Sequence, residues 1–459
     1  MSASPVAPSR DAGVREAHAM DASGLRLVPD AVARPTDERE VAELLARATA
    51  DGVPVTAAGG QTSTTGASIT DRGILLSLRA LARVGEVDER ARTIRAQAGA
   101  LVADVKRVAA ARGLLFPPDP TSEGEATIGG AVACNASGAR SLRYGATRAH
   151  VVALRVALAD GEVIELRRPR LEKNTVGYAL AHDPVDWFIG SEGTLGVVLE
   201  AELALLPAPA SVTGLLLPFP DERRALAFVA DAREAPRLRA RCLEYFDAGA
   251  LAIARDAHGG GWAPGAGALV YAEDAGDDDA PPALEAWLAL AERHEAWCDD
   301  VTVLASESEL REARRVRHAV PATMNERGAA RRTAGGRKVS TDWAVPYRRL
   351  GEAIAHARAI ARDAGVDSGV IYGHAGNGHP HQNFIARDGA ELARVERVVE
   401  ETLRRVIAMG GTVAAEHGIG KLKRRWLPLQ MTERQIRVMR AIKRELDPAG
   451  ILAPGNVLP

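Results

Sequence analysis

One short stretch dictates a local shape before any other part of the chain does. Asn377-Gly378, within Gly373-His374-Ala375-Gly376-Asn377-Gly378-His379-Pro380-His381-Gln382-Asn383, is a two-residue hairpin signal, because both positions tolerate positive φ. Gly369 to Gly373 reads as the strand entering the turn and Gln382 to Ile385 as the strand leaving it. With Asn377 and Gly378 at the centre, Gly376 faces His379, Ala375 faces Pro380, His374 faces His381 and Tyr372 faces Asn383. Residues directly opposite in an antiparallel pair share a face, with Cβ atoms about 4.5–5.5 Å apart. That spacing suits two imidazoles gripping one ion. His379 shares the face too, two residues from His381. Its place at the turn edge reads better as a solvated residue than as a ligand or a substrate contact. Further on, Ala415-Glu416-His417-Gly418 adds a carboxylate and a fourth imidazole. His374, His381 and Glu416 together suit a zinc-type Lewis acid that keeps positions open for a substrate.

Length and charge bound the rest. A chain of 459 residues has room for two or three domains with a large core. Hydrophobic content of 46% and charged content of 26% are those of a globular protein in water. A net charge of −2 argues against a nucleic-acid partner. No window approaches the roughly 20 apolar residues that span a bilayer, which leaves peripheral membrane contact and oligomerisation open. Residues 1–20 read as a disordered leader, since Met1 to Arg10 lacks the basic start and apolar run of a signal peptide. Cys134, Cys242 and Cys298 are too scattered for a disulfide framework or an iron–sulfur ligand set, and cytoplasmic residence is the expectation.

Along the chain, Thr36 is the expected N-cap of a helix whose apolar face is Val41, Leu44, Leu45 and Ala48 and whose end is Gly52. A strand at Val53 to Ala57 leads into the glycine-rich run Gly59 to Ser68. Ile74 to Leu78 and Thr93 to Ala98 read as strands, and Val102, Val105 and Ala109 as a helix face closed at Gly113. The loop Phe116 to Ser122 leads to a second glycine and hydroxyl loop, Thr127 to Gly138. Val151 to Leu158 and Val163 to Leu166 form a hairpin about Asp160-Gly161. Trp187 to Val198 reads as a loop before the strand Leu199 to Leu206. Pro207-Ala-Pro209 marks a boundary, beyond which helices (Glu222 to Ala235, Leu284 to Ala296) and strands (Ala268 to Ala272) alternate. Leu392, Val395, Val399, Leu403 and Val406 line a helix closed by Gly410-Gly411.

Backbone N–H groups in the two glycine and hydroxyl loops can approach a pyrophosphate. Neither is a G-x-G-x-x-G opening a helix nor a Walker loop with its lysine, so nicotinamide and nucleoside-triphosphate readings are weak.

Ordered blocks along the chain extend that reading: Gly59 to Ala67, Pro117-Pro-Asp-Pro-Thr-Ser122, Thr127-Ile-Gly-Gly130 with Asn135-Ala-Ser-Gly138, Arg143-Tyr-Gly145 and Gly190-Ser-Glu-Gly-Thr-Leu-Gly196. Ser340-Thr-Asp342 with Val345-Pro346, Gly373 to Asn383, Gly410-Gly-Thr412 with Glu416-His-Gly-Ile-Gly420, and Leu446 to Gly455 follow in order. In these blocks the chain resembles the flavin-linked oxidoreductases of the vanillyl-alcohol-oxidase fold, in particular the group of D-lactate dehydrogenase (cytochrome), glycolate oxidase and D-2-hydroxyglutarate dehydrogenase. The resemblance covers Asp21 to Pro459.

It implies an α+β architecture: a two-subdomain FAD-binding domain of the PCMH type at 21–208, and a cap domain at 209–440 with an antiparallel sheet flanked by helices. A tail at 441–459 returns to the FAD domain. It implies non-covalent FAD, with Gly59, Gly60, Gln61, Thr62 and Ser63 at the pyrophosphate. Pro118, Thr121, Ser122, Gly129, Gly130, Asn135, Ser137 and Gly138 would line the flavin and its phosphates, and Glu192, Gly193 and Val198 would meet the adenine half or nearby chain. The family usually has glycine where Gln61 stands, aspartate at Asn377, asparagine at His379 and glycine at Ala415.

The activity implied is oxidation of a D-2-hydroxy acid, D-lactate-like, to the 2-oxo acid, with hydride passing to the flavin. His374, His381 and Glu416 would hold a divalent metal, zinc being the first choice. His417, beside Glu416, is the expected general base. Arg317 sits where the family places its substrate arginine, and a guanidinium grips a carboxylate bidentately. Lys338 is a second candidate cation and Asn383 a candidate substrate contact, while Tyr372 could equally be core. The electron acceptor would be a cytochrome, a quinone or an electron-transfer flavoprotein. A glycolate- or D-2-hydroxyglutarate-oxidising relative, and a flavin-binding accessory subunit without its own turnover, are the alternatives.

Overall fold

The computed structural model describes residues 6–178, 182–257, 263–276 and 282–459. The chain folds as two units: residues 1–138, 145–208 and 416–459 form the first, and residues 139–144 and 209–415 the second. The second unit runs to Ala415 and takes in the short insert Ala139–Tyr144. The segment to residue 20, expected as a disordered leader, is ordered where described. Ser9 pairs with Val32, and the Asp11 carboxylate accepts from the Val14 N–H at 2.9 Å to cap the helix Ala12–Ala17. Residues 1–5 lie outside the described residues.

In the first unit, strands β1 (Ala31–Ala33), β2 (Val55–Ala58) and β3 (Ile74–Ser77) make a parallel sheet in the order β1-β3-β2. The helix Glu38–Asp51 begins at Asp37, whose carboxylate accepts from the Glu40 N–H at 2.9 Å. Thr36, the expected cap, is taken instead: its N–H and hydroxyl both donate to the Glu40 carboxylate, at 2.6 and 3.0 Å. Val41, Leu44, Leu45 and Ala48 are buried as their spacing predicts, in a core that includes Ile451 and Leu452 of the returning tail. The unit's other strands are β4 (Val84–Asp88), β5 (Thr93–Gln97), β6 (Leu114–Leu115), β7 (Val151–Ala157), β8 (Val163–Arg167), β9 (Val197–Ala204) and β10 (Leu206–Pro207). β6 pairs with β10, and the rest form an antiparallel sheet in the order β4-β5-β9-β7-β8. β7 and β8 are the expected hairpin.

The second unit is built on one antiparallel sheet. Its strands are β11 (Ser211–Phe219), β12 (Ala240–Asp247), β13 (Ala268–Gly276), β14 (Thr302–Leu304), β15 (Gly335–Ser340), β16 (Val370–His374) and β17 (His379–Asp388), in the order β14-β11-β13-β12-β16-β17-β15. Side chains alternate between faces along each strand. Tyr245 of β12 lies opposite Gly373, so Glu244 shares the face of Tyr372 and His374. His379, His381, Asn383 and Lys338 follow on that face through the β16–β17 and β17–β15 pairings. The helix Glu307–Ala329 carries Arg317 to the same face. Tyr245 points the other way, donating to Glu222 of the helix Glu222–Glu234 at 2.5 Å. A sheet whose central strands are buried at consecutive positions, with helices packed on it, is the flanked antiparallel arrangement expected of this part of the chain.

Candidate active site

The hairpin forms where Asn377-Gly378 predicts one, with a different register. His374 pairs with His379, Gly373 with Pro380 and Tyr372 with His381. A two-residue type I′ turn needs positive φ at both centres. Only Gly378 has it, at φ 69°. Ala375–Asn377 instead form a single 3-10 turn, closed by the Gly378 N–H donating to the Ala375 carbonyl at 2.9 Å. The loop is therefore longer, and the partner of His374 moves by two residues. An even shift leaves every side chain on its face. Gly373, at φ 127°, has no room for a side chain: a Cβ there would lie 2.8 Å from the His381 ring, so the missing atom lets that imidazole rest against the strand.

The imidazoles of His374, His379 and His381 cluster with ring centroids 5.3, 5.1 and 4.6 Å apart, and each offers a nitrogen within 4.8 Å of the others. All are buried. His379, expected to be solvated, is only 4% exposed. Two of the rings have a carboxylate behind them. Glu244 Oε1 lies 2.5 Å from His374 Nδ1, and Asp342 Oδ1 lies 3.0 Å from His379 Nε2. The Glu244 carboxylate hydrogen-bonds the His374 ring, fixing its tautomer and turning its other nitrogen outward, while Asp342 stands at ion-pairing distance from His379. Glu244 is held in turn by Arg317, whose Nε donates to its second oxygen at 2.9 Å. Burial alone would push the Glu244 carboxyl up; the adjacent His374 and Arg317 overcome this and hold it at about 2.

Arg317 also lies over the Tyr372 ring, 4.9 Å from its centroid. Its helix is set by a capping box, in which Ser306 Oγ accepts from the Glu309 N–H and the Glu309 carboxylate accepts from the Ser306 N–H at 2.8 Å. Asn383 is fully buried; its Nδ2 donates to the His381 carbonyl at 3.4 Å, and its Oδ1 has no partner among the described residues. Lys338 donates to Asn325 Oδ1 at 2.8 Å, and burial lowers its ammonium to about 8. The structure therefore gathers His374, His379, His381, Arg317, Asn383 and Lys338 onto one sheet face.

Glu416 follows Ala415, the last residue of this unit, whose N–H donates to the Asp342 carbonyl at 2.8 Å. His417 lies in the first unit, its carbonyl accepting from Thr65 Oγ1 at 3.4 Å.

Glu244 and Asp342 stand against the cluster although the sequence reading gave neither a role, Asp342 entering it only within the block Ser340-Thr-Asp342. Glu244 had a signal: one acid in the apolar run Leu243 to Phe246, where a buried charge requires a partner.

In the first unit, the two glycine segments meet. A Cβ on Gly59 would lie 2.1 Å from Thr127 Oγ1, and one on Gly60 would lie 2.0 Å from the Glu125 carbonyl. Gln61 adopts the left-handed conformation, φ 55°, and its amide donates to the carbonyls of His18 and Met20 at 3.1 and 3.0 Å. Among the described residues, none accepts from the backbone N–H groups of Gly60, Gln61, Thr62, Ser63 and Thr64. Consecutive amides of that kind fit a phosphate cradle.

The second segment is not the expected loop. Ile128–Cys134 is a helix capped by Thr127, whose hydroxyl accepts from Gly130 N–H at 3.3 Å, and ended by Asn135 at φ 51°. Gly129 seats this helix on Ala98, and Asn135 Oδ1 accepts from the Arg148 N–H at 2.9 Å. Gly138 lies against the Asp119 carbonyl, which joins Asn135–Gly138 to the proline loop. In that loop Pro118 is buried, Ser122 half-buried and Thr121 exposed, while Ser137 is buried nearby in sequence. Glu192 accepts from the N–H groups of Ile419 and Gly420 at 2.6 and 2.7 Å, so it grips returning chain; burial raises its carboxyl despite those donors. Gly193 has φ 75°, and Val198 packs in the core with Val156 and Leu203.

Residues 29–167 match an FAD binding domain, and residues 208–457 match the C-terminal domain of FAD-linked oxidases. The chain belongs to the FAD-linked oxidases. Curated relatives of this FAD-linked oxidase include the glycolate oxidase subunit GlcD of Bacillus subtilis, 32% identical over 94% of this chain and 89% of that protein. A D-2-hydroxyglutarate dehydrogenase of Xanthomonas citri is 32% identical, again over 94% and 89% of the two chains. A D-lactate dehydrogenase of Archaeoglobus fulgidus is 30% identical over 93% and 91%. The fold is shared with a solved alkyldihydroxyacetonephosphate synthase, at TM-score 0.72 and 18% identity over 97% of this chain and 83% of that one. Among the described residues, no helix is long and apolar enough to cross a membrane.

Proposed function

We propose that this FAD-linked oxidase converts a D-2-hydroxy acid of the D-lactate kind to its 2-oxo acid with the help of a divalent ion, zinc. The observation that carries the reading is the buried imidazole cluster, two of whose rings have a buried carboxylate beside them. The relatives named for glycolate, D-lactate and D-2-hydroxyglutarate support the substrate class.

The first unit holds FAD without a covalent link. The open amides from Gly60 on, with Gly59, Gln61, Thr62 and Ser63, take the pyrophosphate. Pro118, Thr121, Ser122, Gly129, Gly130, Asn135, Ser137, Gly138 and the turn at Glu192-Gly193 complete the cradle, while Val198 supports it from the core. His374, His381 and Glu416 hold the ion, two imidazoles and a carboxylate being a set that suits zinc.

Bound FAD supplies the acceptor for the hydride on the α-carbon. A bound divalent ion supplies the positive charge that draws in the hydroxyl oxygen and lowers its pKa. Arg317 grips the carboxylate, its orientation fixed by Glu244 at Nε. The buried acceptor Asn383 Oδ1 takes a hydrogen bond from the substrate. Lys338, still largely protonated at neutral pH although burial lowers it to about 8, is a second cationic contact on the same face. His417, beside Glu416, removes the hydroxyl proton. The electrons leave to a cytochrome, a quinone or an electron-transfer flavoprotein. Three free cysteines fit a reducing, cytoplasmic setting.

The test is a dye-linked screen of the flavin-loaded protein against D-lactate, L-lactate, glycolate and D-2-hydroxyglutarate. D-lactate is expected to reduce the dye fastest and L-lactate not at all. A faster rate with another of the four reassigns the acid, and silence with all of them leaves the accessory-subunit reading in its place.

A further inference from the structure

We infer that His379 is a third imidazole ligand of the hairpin's ion, and that Asp342 is the residue that orients it. The inference rests on the preceding reading only in that a divalent ion binds the hairpin. Its ground is a likeness between two of the rings. His374 and His379 lie directly opposite each other in the β16–β17 register, so both project from the same face. Each has a buried carboxylate at one ring nitrogen, Glu244 at 2.5 Å and Asp342 at 3.0 Å. A neutral imidazole that donates from one nitrogen presents a lone pair at the other. His379 shares with His374 its place in the cluster: each ring brings a nitrogen within 4.8 Å of the other candidate ligand atoms and has a buried acid beside it.

The support behind His379 is rigid. Asp342 is 2% exposed, and its carbonyl accepts from the Ala415 N–H at 2.8 Å. The preceding residue, Thr341, is tied to Gln382 of β17 in both directions, by its N–H at 2.9 Å and by its hydroxyl at 3.1 Å. The carboxylate and the imidazole are thus fixed to one strand ladder. The His379 ring stands 4.6 Å from that of His381 and 5.3 Å from that of His374, centroid to centroid. A buried ring placed only to fill space has no need of a buried acid, whose desolvation is unfavourable unless it is used.

The consequence is a hairpin that offers three nitrogens, where His374 and His381 alone offer two. Imidazole-rich sets suit zinc, cobalt and copper and disfavour magnesium and calcium, which want oxygen.

The test uses the full-length protein loaded with Zn2+ and no substrate. X-ray absorption at the zinc edge counts bound imidazoles, and the visible spectrum of the Co2+-substituted protein reports the ligand field. Three imidazoles are expected in the native chain and two in His379→Asn, with a changed cobalt spectrum. Asp342→Asn should keep three while weakening zinc by about 10–100-fold, the usual cost of losing an outer partner. Two imidazoles in the native chain, with a cobalt spectrum unchanged in His379→Asn, would overturn the inference and leave the two-histidine reading standing. A native chain that binds no zinc would overturn both. Because the decisive count is made on the native chain, it does not depend on how any variant folds.

Discussion

Gln61 occupies a left-handed backbone position that glycine fills without strain. A side chain there costs about 1–2 kcal/mol. The Gln61 amide offsets that cost by donating to two carbonyls, those of His18 and Met20. Gln61→Ala keeps the strain and loses both bonds, so it should destabilise by about 1–3 kcal/mol, while Gln61→Gly should lose less than half as much. Urea unfolding of the two variants decides it; equal losses would mean the amide bonds contribute nothing. Lys338 is a second residue whose burial has a measurable sign. Its folded pKa, about 8, lies below the ordinary 10.5, so between these values the unfolded chain binds more protons than the folded one. Stability then rises with pH through that window. Lys338→Met should be more stable than the native chain at pH 7, with the advantage shrinking as pH climbs from 8 toward 10.5. A stability difference that is flat across that range would contradict the buried ammonium.

At the scale of elements, the β16–β17 hairpin shows which structural information was legible in the residues and which was not. The turn signal at Asn377-Gly378 located the hairpin, and period-two alternation put all three imidazoles on one face. The pairing was off by two, because only Gly378 takes positive φ and the loop takes four residues. Chain sequence shows where a turn falls better than how many residues it spends. The helix Ile128–Cys134 was hidden for a different reason. Gly129 and Gly130 are poor helix formers, and their presence reads as loop. Thr127 as cap and Asn135 as terminator were the competing signals, and packing on Ala98 decided the outcome. The carboxylates behind the imidazoles come from strands and loops more than 30 residues away from their partners in sequence, a separation that no local pattern spans. Gly378→Ala tests the turn. Its Cβ would meet the Val345 carbonyl at 2.0 Å in a left-handed conformation. The variant should lose about 2–4 kcal/mol and bind zinc more weakly, read by chemical denaturation and by metal content. Native stability in that variant would mean the turn tolerates another backbone path.

For the whole molecule, the two units divide the chemistry. The first carries open amides suited to a dinucleotide pyrophosphate, and the second carries the imidazoles, Arg317 and Asn383. The family blocks disclosed that division early, since each unit has its own set of glycine and polar landmarks. The second unit closes at Ala415, where nothing in the local composition changes, so this point is not legible in the residues. The central claim is that an ion held by the hairpin is needed to deliver the hydroxy acid to the flavin. The most direct measurement is anaerobic reduction of the bound flavin by D-lactate, followed by its visible absorption, before chelation, after chelation and after zinc is restored. The account predicts rapid bleaching, at least tenfold slower bleaching in the chelated protein with its flavin retained, and recovery with zinc. Bleaching at the same rate in all three samples would contradict it.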